Sequence, residues 1–420
     1  MKTLKAMKTL SIKLTTAVLL VSLVSARAQV MTLDSVLQRI AQRNPMLQEF
    51  EQRAKAQEAY TAGAKGWMAP MVGAGTFMTP YPGQTVEEGS KGSLMITVEQ
   101  NIPNPAKLAA NERYFASRSA VETAGKEKQF NILRAEAKAS YYRWLVAEEK
   151  QKVLRESDRI LELMLKLARL RYPYNQGSLG AIYKTEGRQH EVKNMMLMTQ
   201  GDAEEASARL RALMNLPADV PLSVDTTLRP RFDRSLADDT ASLRMTRSDF
   251  RQLDRTIEVM RLNRELQQYQ AKPEFRLRFD HMQPLGQGMP TQFTAMAMVS
   301  IPIAPWSSKM YKSEVRGMEF EIDAMRRGQE SILVETRGML SGMTAQLRRM
   351  EQQLDNYRLR ILPALRKNYE ALMVAYEENR ETLPAVVDGW EAMNMAQLDY
   401  TDKLNEFYQM LVRYDKEVER

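Results

Sequence analysis

The sequence predicts a mainly α-helical protein that also carries four membrane β-strands and is built as an internal twofold repeat. Three observations lead to this prediction. Two regions have the composition of very long helices, two pairs of segments alternate like strands, and short motifs recur about 200 residues apart.

The first 28 residues have the pattern of an export signal. Four lysines precede a short apolar core at residues 17–24, and Ala26-Arg-Ala28 is a small-x-small cleavage motif. The apolar core is too short to span a bilayer as a helix. We therefore expect a cleaved signal peptide at residues 1–28 and a mature chain that begins near Gln29.

Removing this segment changes the charge balance. The 420-residue chain has 60 basic and 52 acidic residues, and residues 1–28 contain five of the basic ones and no acidic residue. The remainder is 55 against 52, or about +3, which gives no support for a nucleic-acid partner.

The absence of cysteine excludes disulfides and thiolate metal sites. Beyond the signal there is no run of about 18 apolar residues, so helical membrane spans are not expected.

The helical prediction is clearest at residues 107–171, which contain no proline and a single glycine, Gly125. A helix of that length extends roughly 100 Å, at 1.5 Å per residue. Within residues 154–170, two apolar stripes indicate a helical neighbour on each side. A heptad seam typical of coiled coils steps by four and three residues through Met343, Leu347, Met350, Leu354, Tyr357 and Ile361.

Strands are predicted at 71–79, 93–102, 274–282 and 292–302. In the third, Phe275, Leu277 and Phe279 alternate with charged residues. The lengths are close to the 9–11 residues of a tilted membrane strand. Two soluble hairpins would show the same alternation, and this alternative stays open on the pattern alone.

The internal repeat divides the chain. Ile102-Pro103 and Ile301-Pro302 end the two strand pairs, and Tyr174 is taken as the equivalent of Tyr376. We predict a first repeat at 29–215, a linker at 216–240 and a second repeat at 241–420, each with a helix, a strand pair and a long helical hairpin. Thr246-Arg-Ser-Asp249 has the form of a capping box that restarts the helix.

These motifs, in this order, resemble the TolC-type outer-membrane efflux protein family. The resemblance covers almost the whole mature chain. It includes Thr32-Leu-Asp-Ser-Val-Leu through Asn44-Pro45, the duplicated Ile-Pro pairs, and Tyr174-Asn-Gln-Gly-Ser-Leu179. It implies a TolC-like trimeric α/β-barrel, in which each protomer of a homotrimer gives four β-strands and long coiled-coil helices. Twelve strands would close in the outer membrane, and the helices would form a periplasmic tube.

The same resemblance implies a function and partners. The protein would be the passive outer-membrane channel of a tripartite efflux system, with a periplasmic adaptor (a membrane fusion protein) and an inner-membrane pump. Asp388 matches a family aspartate of the periplasmic gate, whereas Ala385 replaces a second one. Tyr174, Gly177, Ser178 and Leu179 match the turn that docks the adaptor. Alternatively, Asp388 is a solvated helix residue, and Gly177 serves only to adopt a positive φ.

Other chemistry finds little support. The 29 methionines include a cluster at Met195, Met196 and Met198, which is compatible with Cu(I) binding or with ordinary helix packing. His190 and His281 are far apart in sequence, and no phosphate loop, nucleophile elbow or zinc motif occurs. We therefore expect no enzyme activity, no catalytic residue, no metal and no cofactor. The main alternative function is a soluble periplasmic coiled-coil adaptor or scaffold; an envelope hydrolase has no motif in its favour.

Overall fold

The computed structural model describes residues 29–175, 177–233, 243–302 and 304–420, so the predicted signal peptide at 1–28 lies outside it. The described chain is mainly helical. Its helices are α1 Leu33–Arg43, α2 Pro45–Gly63, α3 Pro105–Arg171, α4 Leu179–Leu213, α5 Leu243–Thr246, α6 Ser248–Gln268, α7 Pro305–Asn356, α8 Leu362–Glu377 and α9 Leu383–Val418. Its strands are β1 Gln29–Met31, β2 Met71–Phe77, β3 Ser93–Ile102, β4 Leu222–Val224, β5 Glu274–Pro284 and β6 Gln292–Ser300.

The predicted long helix is confirmed, since α3 runs for 67 residues without a break. The four predicted strands are also found, with ends that shift by up to two residues. No helix in the described part of the chain is both long and apolar enough to cross a membrane.

The chain forms two compact units, each drawing on both predicted halves. The first consists of the described parts of residues 1–44, 133–234 and 343–415, and the second of the described parts of 45–132, 235–342 and 416–420. The division into repeats at 29–215 and 241–420 concerns sequence equivalence and stays a prediction.

In the first unit, a short parallel sheet joins the N-terminal strand to the predicted linker. β1 pairs with β4 in the register Gln29↔Leu222. The hydroxyl of the buried Tyr141 donates to the Met31 carbonyl at 2.9 Å and accepts the Asp225 N–H at 3.1 Å. Burial raises the pKa of this phenol. The predicted linker at 216–240 therefore contains a short strand, β4, that its sequence did not predict, while residues 234–240 lie outside the described chain.

The core of the first unit lies among α3, α4, α8 and α9. Trp390 and Val386 of α9 are buried against Leu161 and Met164 of α3 and Ile182 of α4. Of the two apolar stripes predicted for residues 154–170, the one formed by Leu154, Leu161, Leu165 and Ala168 is buried as expected, whereas Leu163 and Leu170 of the other stripe are 49% and 61% exposed. Burying large apolar side chains contributes about 1.5–3 kcal/mol each, and this holds the helix ends that carry the candidate site.

The seam predicted at 343–361 is interrupted. Leu347 is fully buried, but residues Tyr357–Ile361 form a π-helical turn between α7 and α8. Pro363 follows at once and explains the change, because it has no N–H and its ring crowds the carbonyl of the preceding turn. The seam prediction missed this break.

The second unit contains a four-stranded antiparallel sheet in the order β2-β3-β5-β6. The central pairing joins the two predicted hairpins, with Val98 opposite Phe279. In this unit, α2 contacts α3 through Glu51 and Lys126, and α3 contacts α6 through Glu127 and Arg251. Ion pairs also join α6 to α7, so these helices follow one another in the order α2, α3, α6 and α7.

The predicted capping box at the start of α6 is wrong. Thr246 belongs to the short helix α5, and its hydroxyl bonds the Leu243 carbonyl at 3.4 Å. The N-cap of α6 is Arg247, whose side chain makes no capping bond. A partner from elsewhere in the chain serves α6 instead, as described in the Discussion.

Candidate gate and docking surface

The candidate docking residues lie together in the turn between α3 and α4. A 3₁₀ turn at Tyr172–Tyr174 follows α3, and Ser178 caps α4 by accepting the Ala181 N–H at 3.2 Å. Gly177, Ser178 and Leu179 are exposed, and Tyr174 is 76% exposed. The four residues thus form an accessible surface, which is a requirement for docking but not a test of it.

One positive φ in this turn belongs to Asn175, at 56°. Asparagine tolerates the left-handed region better than most residues because its short amide can bond locally. The conformational explanation for Gly177 stays a prediction. A Cβ added at Gly177 would meet no atom within 4 Å, so the position is open to solvent.

The second turn, between α8 and α9, is closely similar in its backbone. Asn379 has φ 59°, and its N–H bonds the Tyr376 carbonyl at 3.0 Å, as the Asn175 N–H bonds the Tyr172 carbonyl at 3.1 Å. Tyr376 is therefore equivalent to Tyr172, and the predicted pairing with Tyr174 is wrong by two residues. Tyr376 is also only 3% exposed, in contrast to Tyr174.

Arg171, which the sequence analysis missed, links the two turns. Its guanidinium donates to the carbonyls of Tyr376 at 2.6 Å and Glu377 at 2.9 Å, and it lies 4.5 Å from the centre of the Tyr376 ring. These carbonyls end α8 and have no partner within the helix, so a cation satisfies both their hydrogen bonding and the helix dipole. An arginine in the last turn of α3 was the only signal in the sequence.

Asp388, the candidate gate residue, is paired. Its Oδ1 accepts from Lys184 Nζ at 2.8 Å, across from α9 to α4, and the two side chains are 62% and 44% exposed. Arg188 makes a parallel link from α4 to Glu391 at 2.6 Å. Exposed pairs of this kind contribute about 0–1 kcal/mol. Asp388 is therefore neither a free carboxylate nor an unpartnered solvated residue.

Gly389, beside Asp388, lies where α9 closely approaches a side chain of α8. A Cβ at this buried position would lie 2.5 Å from Leu372 Cδ1 of α8. The glycine leaves room for the Leu372 side chain of α8 next to Asp388. Ala385, at the position of the second family aspartate, is half-buried.

The methionine cluster lies on α4. Met195 and Met196 pack partly buried against the core of the first unit, whereas Met198 is exposed. Packing accounts for the first two. Over the described residues, no group of three or more histidine, aspartate or glutamate side chains is placed to hold a metal ion.

The sheet of the second unit has two chemically distinct faces. On one, charged and polar side chains are bonded to one another: Thr97 donates to Asp280 at 2.6 Å, and Arg276 lies 3.0 Å from Glu99. The strand register places most of the large apolar side chains on the other face, and all of these except the half-buried Ile102 are exposed. The exposed ones are Val72, Leu94, Ile96, Val98, Phe275, Leu277, Phe279, Phe293 and Val299.

This architecture is found in solved outer-membrane channels. The channel OprN superposes with a TM-score of 0.72 at 16% identity, covering 92% of this chain and 89% of that one. VceC from Vibrio cholerae gives 0.70 at 13% identity, covering 92% and 95%, and the Campylobacter jejuni CmeC channel gives 0.71 at 12%, covering 92% and 85%. The chain has the TolC-type channel fold.

The likeness is one of structure alone, because no protein-family model matches the sequence and no curated protein is similar to it. Identities of 11–16% leave side-chain roles open even where the backbone agrees.

Proposed function

We propose that this protein is the outer-membrane channel of a tripartite efflux system, passively conducting substrates that an inner-membrane pump and a periplasmic adaptor deliver. The observation that carries the proposal is the sheet with one apolar and one charged face. Exposing so many large apolar side chains to water is costly, whereas in lipid the same face is favourable. The charged face then lines a water-filled passage.

The free edges of the sheet support a homotrimer. β2 and β6 each have one unpaired edge, and every unsatisfied backbone group in hydrocarbon costs several kcal/mol. Pairing β6 of one copy with β2 of the next satisfies these groups. Three copies then give a closed sheet of twelve strands, attached to a periplasmic tube of helices.

The helix turns of the first unit supply a gate and a docking surface. Three Asp388 carboxylates would form a ring, and Lys184 partly neutralises each one through its 2.8 Å contact. Opening this pair would raise the negative charge at the constriction and its attraction for cations. The exposed turn with Tyr174, Gly177, Ser178 and Leu179 would receive the adaptor.

The proposal is tested by fractionation and by conductance. The full-length protein should be exported with loss of residues 1–28, be recovered from the outer membrane only with detergent, and form conducting trimers in planar bilayers. Recovery as a soluble periplasmic monomer without detergent would instead favour the adaptor or scaffold function. A detergent-extracted trimer that fails to conduct in any state would contradict the channel.

A further inference from the structure

A groove of about 760 Å³ lies between α6 and α7 in the second unit, and its lining is unusually rich in arginine. Five arginines and three carboxylates surround it, an excess of two positive charges. The volume falls in the range of small-molecule sites, which is about 300–1,000 Å³.

The floor of the groove is apolar and fixed. Phe250 and Ile257 of α6 are buried there, beside Leu333 of α7. The buried amide of Gln329 donates to Asp254 Oδ1 at 2.6 Å and thereby joins the two helices beneath the opening. An apolar floor under a charged rim suits a ligand that has both an apolar body and a charged group.

The three carboxylates have partners. Asp254 accepts from Gln329, Glu258 lies 3.5 Å from Arg261, and Glu330 pairs with Arg327, outside the groove, at 2.8 Å. Each of these carboxylates therefore already has a neighbouring donor, Asp254 across the two helices and Glu258 and Glu330 along their own helix.

Two of the arginines are left without a partner. Arg251 pairs with Glu127 at 2.7 Å, and Arg326 pairs with Asp323 at 3.0 Å. Arg244 and Arg255, by contrast, make no hydrogen bond or ion pair with any residue that the structure describes. Their guanidinium groups, each a planar fork of donors, are available to an anion.

We propose that this groove binds amphipathic organic anions, with the anionic head between Arg244 and Arg255 and the apolar body on Phe250 and Ile257. Arginine binds carboxylates and sulfonates through parallel N–H···O bonds, and an apolar floor adds affinity that a simple inorganic anion cannot gain. The site is distinct from the helix turns that carry Asp388. It requires only the folded second unit, so it does not rest on conduction.

The test uses 4-(trifluoromethyl)benzenesulfonate, followed by ¹⁹F NMR titration of the full chain in a nonionic detergent. The neutral comparison is 4-(trifluoromethyl)benzenesulfonamide, which has nearly the same shape. The binding variant is Arg244→Gln with Arg255→Gln. The control is Arg337→Gln, because Arg337 is an exposed arginine of α7 outside the groove that also makes no pair with a described residue.

We expect the double variant to weaken sulfonate binding by about tenfold or more, and the control to leave it unchanged. The wild-type chain should bind the sulfonamide at least about tenfold more weakly than the sulfonate. Sulfonate binding within twofold in the double variant, or equal binding of the two probes, would overturn the proposal. Conductance measured on the same preparation distinguishes anion binding in the groove from the channel function, because the protein can lose one of these properties and keep the other.

Discussion

The carboxylate of Glu419 caps helix α6 by accepting from both the backbone N–H of Ser248, at 2.7 Å, and its hydroxyl, at 2.6 Å. Arg247 adds an ion pair to Glu417 at 2.9 Å. The second-last residue of the chain thus performs the task that a capping side chain at the start of α6 would otherwise perform. The C-terminal residues are thereby bound to the first turn of α6.

Glu419→Ala should weaken the start of α6. Loss of a cap costs about 1 kcal/mol, which corresponds to a roughly fivefold fall in the protection of the first α6 amides. Hydrogen exchange with mass spectrometry would measure it over residues 248–252. Glu321→Ala, at an exposed glutamate of α7, is the control and should change nothing there. If the first α6 amides are protected from exchange equally in Glu419→Ala and in Glu321→Ala, Glu419 is not the cap.

Lys184→Ala should increase the block of the reconstituted channel by divalent cations, because it leaves the Asp388 carboxylate without its partner. Asp388→Ala should reduce the block. Either change should alter the free energy of unfolding by less than about 1 kcal/mol, since the pair is exposed. Single-channel recordings over a range of Mg²⁺ concentrations test this, with Lys152→Ala on α3 as the control. Identical block in all four proteins would remove Asp388 from the gate.

Gly177→Trp should weaken crosslinking to the adaptor and leave the trimer intact, because an added side chain points into open space at this turn. Gly187→Trp is the matched control, since position 187 is also exposed and open but lies within α4. Site-specific photocrosslinking with the adaptor measures the effect. If Gly177→Trp abolishes the trimer, the residue has a folding role and not a docking role.

Phe320→Glu should disrupt the trimer. Helix α7 has a heptad seam of mostly small residues that is exposed in the single chain, at positions 310, 317, 324, 331 and 338. Two aromatic residues beside this seam are also exposed, Trp306 by 82% and Phe320 by 61%. α7 lies at the end of the helix order, as β6 lies at the edge of the sheet, so this seam is where a second copy would pack. Light scattering in detergent should show monomers for Phe320→Glu and trimers for the control Gln346→Glu. If the Phe320→Glu variant forms a stable trimer, the interface between copies does not include this seam.

Two glycine substitutions should have opposite signs. Gly389→Ala should lower the melting temperature, because the new methyl group meets Leu372 and overpacking costs about 1–3 kcal/mol. Gly180→Ala, near the start of α4 and free of contacts, should be neutral or stabilise by up to about 1 kcal/mol. Circular dichroism in detergent measures both. Gly389→Ala should cost less stability in a Leu372→Ala background than in the wild-type chain, and an equal cost in both would mean that the loss has another cause.

Much of the fold could be predicted because it depends on local periodicity. The alternation around Phe279 and the unbroken composition of α3 each define an element without reference to the rest of the chain. The π-helical turn was missed because a proline predicts a disturbance but not its form. The pairing of Gln29 with Leu222 was missed because three-residue strands have no period to detect.

The candidate site was predictable only in part. The exposed turn at Gly177 follows from a local break between two helices. Asp388 pairs with Lys184, about 200 residues away in sequence, and Ser248 pairs with Glu419, about 170 residues away. Nothing in the local sequence pattern indicates either partner. The unpaired state of Arg244 and Arg255 in the groove also could not be predicted, because the sequence around an unpaired arginine does not differ from that around a paired one.

The central pairing of β3 with β5 also constrains the order of folding. Ser93 pairs with Pro284, so nearly half of the chain separates the two partners. A two-stranded hairpin is marginal by itself, and contacts between distant residues form slowly because a long loop must close first. The sheet is therefore completed only after β5 and β6 are available to pair. Until then β2 and β3 expose apolar side chains, and this is the stage at which the nascent protein most needs protection from aggregation.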